Sequence, residues 1–154
     1  MANVQPKTVV TMAMAGDCPS HARTDISVRD LVVSVDEPLE RGGTNAGPSP
    51  TETMIVALIG CTNVIARRVA EKTGVEIQDM AVKAEAQFDR RGVTLTEEVA
   101  VPFPEVVLTI DLTTGADDAA METVKMDLEK YCPVSKVFSE AGTNVITNWN
   151  ISRP

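Results

Sequence analysis

Aromatic side chains are scarce in this chain: one Trp, one Tyr and three Phe make up 3% of 154 residues. Val, Ile, Leu, Ala and Met must therefore fill the core, and there is no set of rings on which nucleic-acid bases could stack. Positive charge is also short. Fourteen Lys and Arg stand against 22 Asp and Glu, a net charge of −8, and such a balance repels phosphate backbones and anionic lipid. The expectation is no nucleic-acid partner and no membrane partner. The start of the chain lacks a basic segment followed by an apolar one, and no run approaches the roughly 18 apolar residues of a membrane span, so a cytoplasmic protein is expected. No Ser/His/Asp set is read from the sequence, and with a single histidine, His21, a zinc site would need Cys61 and Cys132 to converge on it. Cys18-Pro19-Ser20-His21 has the spacing of half such a site and no second half. The loop Arg41–Pro48 is rich in glycine but lacks the Gly-Lys-Ser/Thr ending of a phosphate cradle, which leaves it a plain connection.

Cysteines number three, Cys18, Cys61 and Cys132. They are far apart and odd in number, so they fit no disulfide framework and are expected as packing residues, redox centres or ligands.

What the chain does contain is one long apolar segment. Ser49 and Glu52 have the spacing of a capping box and Pro50 falls at the first helical position, so a helix is expected from Pro50 to about Lys72, with Thr73-Gly74 as its stop. Met54, Leu58, Cys61, Ile65 and Val69 recur at helical spacing and place Cys61 on the core-facing stripe, where a buried structural thiol is its simplest reading. From Met54 to Ile59 the apolar positions cover nearly the whole circumference, so this helix is to be enclosed by its own sheet or by a second chain. Arg67 and Arg68 read as the start of its solvated face.

The remaining segments alternate strand and helix patterns. Strands are expected over 8–15, 25–28 and 30–35 before the helix, then over 77–88 and 106–112, with an irregular excursion over 89–104. A helix over 116–130 opens on acidic Asp117 and Asp118. Pro133 cannot continue it but suits the first position of another, so Cys132 becomes the N-cap of a short helix over 133–140, followed by a last strand over 144–151. This order implies a single α+β domain, 1–154, with helices against antiparallel sheet.

A thiol at a helix N-terminus ionises more readily, which ranks Cys132 above Cys61 as a nucleophile on that argument alone. Cys61, several turns inside its helix, needs a nearby cation. Arg23, Arg29 and Arg41 are the candidates, with Glu52 as a carboxylate able to hold a guanidinium in a fixed fork.

Gly42-Gly43, Gly47-Pro48-Ser49-Pro50, Glu52, Ala57 to Thr62 and Cys132-Pro133-Val134-Ser135-Lys136 together resemble the OsmC/Ohr superfamily of thiol peroxidases, over nearly the whole chain. The resemblance implies an OsmC-like intertwined homodimer, with antiparallel sheets from both chains wrapped around two long central helices. It further implies that Cys61 is the peroxidatic and Cys132 the resolving cysteine, that Arg23 and Glu52 assist Cys61, and that the substrate is an organic, lipid-type hydroperoxide. A dithiol or lipoyl-type reductant then reopens the disulfide, with no bound metal or organic cofactor. Thr51 stands where the better-known reductases of the superfamily have the glutamate, and Glu52 comes next, which gives Glu52 either a capping or an arginine-orienting role. A protein of another class, binding a small apolar ligand at the dimer interface, is the alternative.

Overall fold

The computed structural model describes residues 8–154. It divides into two compact units, one ending at Thr53 and one running from Met54 to Pro154.

The first unit is a three-stranded antiparallel meander, β1 (Ala15–Asp17), β2 (Thr24–Val28) and β3 (Leu31–Val35), in that spatial order. Ile26 opposes Val33 and Val28 opposes Leu31, so only Arg29 and Asp30 make the turn between β2 and β3. The expected strand over 8–15 is cut down to three residues beginning at its end. Pairing starts at Ala15 opposite Ser27, and Val9, Val10 and Met12 before it are exposed; β-branched residues hold a strand only where a neighbour strand completes the ladder.

After β3 the chain is gathered around Asp36, which is fully buried. Its carboxylate accepts from the amides of Glu37 (2.9 Å), Thr44 (2.8 Å) and Ala46 (3.1 Å) and from the Thr44 hydroxyl (2.6 Å). Side chains are excluded at two loop glycines: a Cβ on Gly43 would lie 1.7 Å from the Glu37 carbonyl oxygen, and one on Gly47 2.0 Å from that of Ser34. The amides that might have cradled a phosphate are thus taken by the chain's own carboxylate, and the loop is a connection, as expected.

Helix α1 (Pro50–Thr73) begins in the first unit and runs into the second. Gly74 takes φ 74°, Val75 N–H bonds to Ala70 C=O (2.8 Å) and Gly74 N–H to Glu71 C=O (3.2 Å), the double closure of a Schellman end. In the second unit, β4 (Asp79–Ala86), β5 (Glu105–Thr113) and β6 (Asn144–Ser152) form a sheet with β5 in the centre. Between β5 and β6 lie α2 (Asp118–Tyr131), capped by Asp117 on Ala120 N–H, and α3 (Pro133–Glu140). β4 is antiparallel to β5, but β6 is parallel to it, so this sheet is mixed where the sheet of the first unit is antiparallel throughout. The α2–α3 pair is a crossover that returns the chain to the end of the sheet where β5 began, and a chain so returned can only run parallel.

Alternation in β5 is complete. Val106, Leu108, Ile110 and Leu112 are at most 3% exposed, while the other face carries Asp111, bonded to Lys83 and Asn150, and Glu105, bonded to Gln87 and Asn144. The inner face packs in two clusters. One joins Ala66, Val69 and Ala70 of α1 to Ile110, Leu112, Met121, Val124 and Leu128. The other joins Leu58 to Phe103, Val106, Leu108 and Phe138. By length and composition alone α1 would pass for a membrane span; here its Leu58–Ala70 stripe is packed on the sheet. Among the described residues nothing covers its remaining faces, and Met54, Val56 and Val64 stay 42–56% exposed.

Candidate functional site

Cys132 is the hinge between two helices. Its N–H donates to Leu128 C=O (2.9 Å), closing α2, and its C=O accepts from Lys136 N–H (3.1 Å), opening α3. Extended backbone angles at Cys132 (φ −71°, ψ 107°) and the missing N–H of Pro133 stop α2 from running on into α3. The break turns the Cys132 side chain inward, and the residue is only 1% exposed.

Cys61 reaches the same place from α1. It packs, half-buried, against the cluster that contains Cys132, and the two thiols are close enough to act on one another: burial pushes the Cys132 thiol up, the amides of Ser135 and Val134 draw it down, and the neighbouring Cys61 raises it further, with a net upward shift. The helix-terminus argument, taken alone, ranked Cys132 as the more readily ionised. Desolvation outweighs it, because a charge in an apolar core loses more to missing water than two amides return. Two cysteines about seventy residues apart in sequence are thereby side by side, the accessible one on a helix face and the buried one at a helix junction.

The first unit holds the other two expected residues. Glu52 completes the capping box: one of its carboxylate oxygens accepts from both the amide and the hydroxyl of Ser49, each at 2.8 Å. Those two bonds lower the Glu52 pKa, and Arg41 contributes a smaller lowering through its charge. Arg23 is paired with Asp25 at 3.0 Å, a bond that raises its own pKa and, with the Ser34 hydroxyl, lowers that of Asp25. Arg41 pairs with Glu37 at 2.8 Å. Arg29 sits in the β2–β3 turn at φ 58°. The cation that reaches Glu52 by charge is Arg41, while Arg23 is engaged by Asp25.

Cys18 is exposed, its sulfur 3.7 Å from the Thr24 hydroxyl. No group of three His, Cys, Asp or Glu side chains suited to a metal ion occurs among the described residues.

Further along α1 from Cys61 lies a feature that the sequence reading passed over. A groove of about 220 Å³ between α1 and α2 is lined by Ile65, Arg68, Val69, Lys72, Asp127 and Tyr131. Arg67 and Arg68, both read as solvated, differ in kind: Arg67 bonds to the Asn63 side chain and to Ile77 C=O (3.1 Å), whereas Arg68 faces the groove. The i, i+4, i+8 spacing of Cys61, Ile65 and Val69 was the signal that could have located it.

Among solved structures, an OsmC-like protein from Mycoplasma pneumoniae superposes with a TM-score of 0.71 at 13% identity, over 94% of this chain and 97% of its own. An organic hydroperoxide resistance protein OsmC from Legionella pneumophila gives 0.65 at 18% identity, over 95% and 99%. The organic hydroperoxide resistance protein OhrB of Bacillus subtilis gives 0.56 at 18%, over 93% and 98%. These likenesses establish a shared mixed α+β fold. No curated protein sequence matches the chain. Residues 43–148, which span Cys61, Cys132, the capping box, β4, β5 and the first half of β6, match the family described as OsmC-like protein, and the chain belongs to that family.

Proposed function

We propose that this protein is a cysteine-based peroxidase that reduces organic, lipid-type hydroperoxides to alcohols, with Cys61 as the attacking and Cys132 as the resolving residue. The observation that carries the reading is the adjacency of a half-buried and a fully buried free thiol on separate elements. Two fold relatives whose names refer to organic hydroperoxide resistance add support.

In the first step the Cys61 thiolate attacks the terminal oxygen of the hydroperoxide. The O–O bond breaks, Cys61 becomes a sulfenic acid, and the alkoxide leaves as alcohol after taking a proton. Cys132 then attacks the sulfenic sulfur, forming the disulfide and releasing water. An external dithiol reopens it by exchange and leaves as its own disulfide, so its two electrons reduce one peroxide. Burial suits Cys132 to this order, since a thiol held protonated and out of solvent meets a sulfenic acid only at its neighbour. In this reading no metal or organic cofactor is required. The assisting roles of Glu52 and of Arg23, with Arg29 and Arg41 as the other candidates, rest on the resemblance alone. The protein acts in the cytoplasm as a homodimer, its partner copy covering Met54, Val56 and Val64.

The test is a count of free thiols before and after one equivalent of cumene hydroperoxide. The wild type loses two thiols. Cys132→Ser gives a sulfenic acid that dimedone traps, and Cys61→Ser is inert. A thiol count that peroxide leaves unchanged in the wild type defeats the proposal. Peroxide consumption that survives in Cys61→Ser but not in Cys132→Ser inverts the two roles.

A further inference from the structure

Cys61 and Cys132 differ in access. Cys61 is half-buried on α1, whereas Cys132 is 1% exposed and belongs to the cluster that includes Ala66, Ile110, Met121 and Leu128. A thiol approaching a disulfide between them from solvent therefore meets the Cys61 sulfur first. To reach the other sulfur it would have to part α1, α2 and β5.

The two sulfurs also differ in what stands ready to receive negative charge. Pro133 brings no N–H, so the first donors of α3 are the amides of Val134 and Ser135, at the second and third helical positions, which an N-cap side chain addresses. Among the described residues the first main-chain bond of α3 comes one residue later, from Lys136 N–H to Cys132 C=O (3.1 Å). The resting thiol closes no cap bond with the two amides. Burial raises the Cys132 pKa most, yet both amides draw it back, so they bear on its sulfur. Donors held back from a neutral thiol and open to a developing thiolate favour the transition state over the ground state. Cys61 lies well inside α1, where the neighbouring amides are tied into the helix, and has no such donors.

Resting on the peroxidase reading, we propose that the disulfide is reopened in one direction: the external thiolate attacks the Cys61 sulfur, and Cys132 is the leaving sulfur, received by the amides of Val134 and Ser135. A bond forms between the external sulfur and Cys61, the Cys61–Cys132 bond breaks, and its electron pair stays on Cys132. That sulfur then takes up a proton, because a charge in the apolar core is costly. The second thiol of the reductant attacks its own sulfur in the mixed disulfide, Cys61 leaves, and the reductant departs as a disulfide. Two electrons and two protons have passed to the protein. Cys61 thus bonds in turn to peroxide oxygen, to Cys132 and to the reductant, while Cys132 never meets a soluble partner.

The experiment starts from the isolated disulfide form of the wild type, made with cumene hydroperoxide and freed of excess peroxide. It is exposed briefly to mercaptoethanol, quenched in acid, unfolded in N-ethylmaleimide and mapped by peptide mass spectrometry. The mercaptoethanol adduct is expected on Cys61 and the maleimide on Cys132. An adduct on Cys132, or one shared between the two, overturns the direction and leaves the peroxidase reading intact. A wild type in which peroxide makes no disulfide between Cys61 and Cys132 overturns both. Two variants test the amides. Ser135→Pro removes one donor at a first-turn position that proline tolerates, and Ser135→Ala removes only the hydroxyl. Reopening by mercaptoethanol is expected to slow about tenfold in the proline variant, through loss of one bond to a developing charge, and to keep the wild-type rate in the alanine variant. Equal rates in the two variants overturn the part given to the amides.

Discussion

Asp36 shows how far one residue can organise a loop. Three amides and a hydroxyl converge on its buried carboxylate, and together they hold its pKa down to about 2. An unfolded aspartate titrates near roughly 4. Between those values the unfolded chain binds the extra proton and the native one does not, so the stability contributed by Asp36 is fully present above the upper value and is lost as pH falls through the lower. Asp36→Asn keeps the shape, loses the charge and turns one acceptor into a donor facing donors. The midpoint of urea unfolding, followed from pH 6 to pH 2, is expected to be lower than in the wild type at neutral pH and to fall less steeply in acid. In sequence Asp36 stands out only as the first residue of Asp36-Glu37-Pro38, which ends a strand pattern, because three of its four donors come from eight to ten residues later. Cys132 carries a similar lesson with the opposite sign. Its place at a helix start was readable, but its burial depends on β5, α1 and α2 closing around it.

At the scale of elements, helix ends were the most legible features, since they are written in neighbouring residues. Ser49, Pro50 and Glu52 started α1 where expected, Thr73-Gly74 ended it, and Pro133 separated α2 from α3. Gly74 allows a clean measurement. It stands at φ 74°, and a Cβ there would meet nothing within 4 Å, so Gly74→Ala tests backbone conformation without a clash. The left-handed geometry is expected to cost about 1 kcal/mol of unfolding free energy by chemical denaturation, with the m-value unchanged. The short β1 is the contrasting case. Thr8 to Ala15 has strand composition, yet composition without a partner strand makes no ladder. Arg68 and Lys72 were hidden for another reason: the charged residues of a helix look alike until the neighbouring helix, here α2 with Tyr131 and Asp127, decides which of them borders a groove.

For the whole molecule, the α+β class followed from the succession of patterns, and the direction of β6 did not. Parallel and antiparallel neighbours share one alternation, and only the path of α2 and α3 tells them apart. The pairing of Cys61 with Cys132 was likewise reachable through resemblance alone, because no local rule relates residues so distant. That separation has an energetic corollary under the proposed chemistry. A disulfide between them closes a loop of about 70 residues, and the chain-entropy argument assigns such a crosslink roughly 4 kcal/mol through restriction of the unfolded state. The peroxide-treated protein is therefore expected to melt several degrees above the reduced one in calorimetry, with the difference abolished by dithiothreitol and absent in Cys132→Ser.

The parallel placement of β6 also sets an order of assembly. An antiparallel neighbour can form from a tight turn as the chain emerges, but β6 pairs with β5 only after the whole crossover has been made, and Cys132 rides on that crossover. Such distant pairings close slowly, because loop entropy is spent before any contact is gained. Cys61, carried on a helix whose ends are set by neighbouring residues, gains Cys132 beside it only once that crossover is made. The thiol pair is in this sense a completion mark: a chain made only as far as α2 has Cys61 and lacks the neighbour that the proposed chemistry assigns to resolve it.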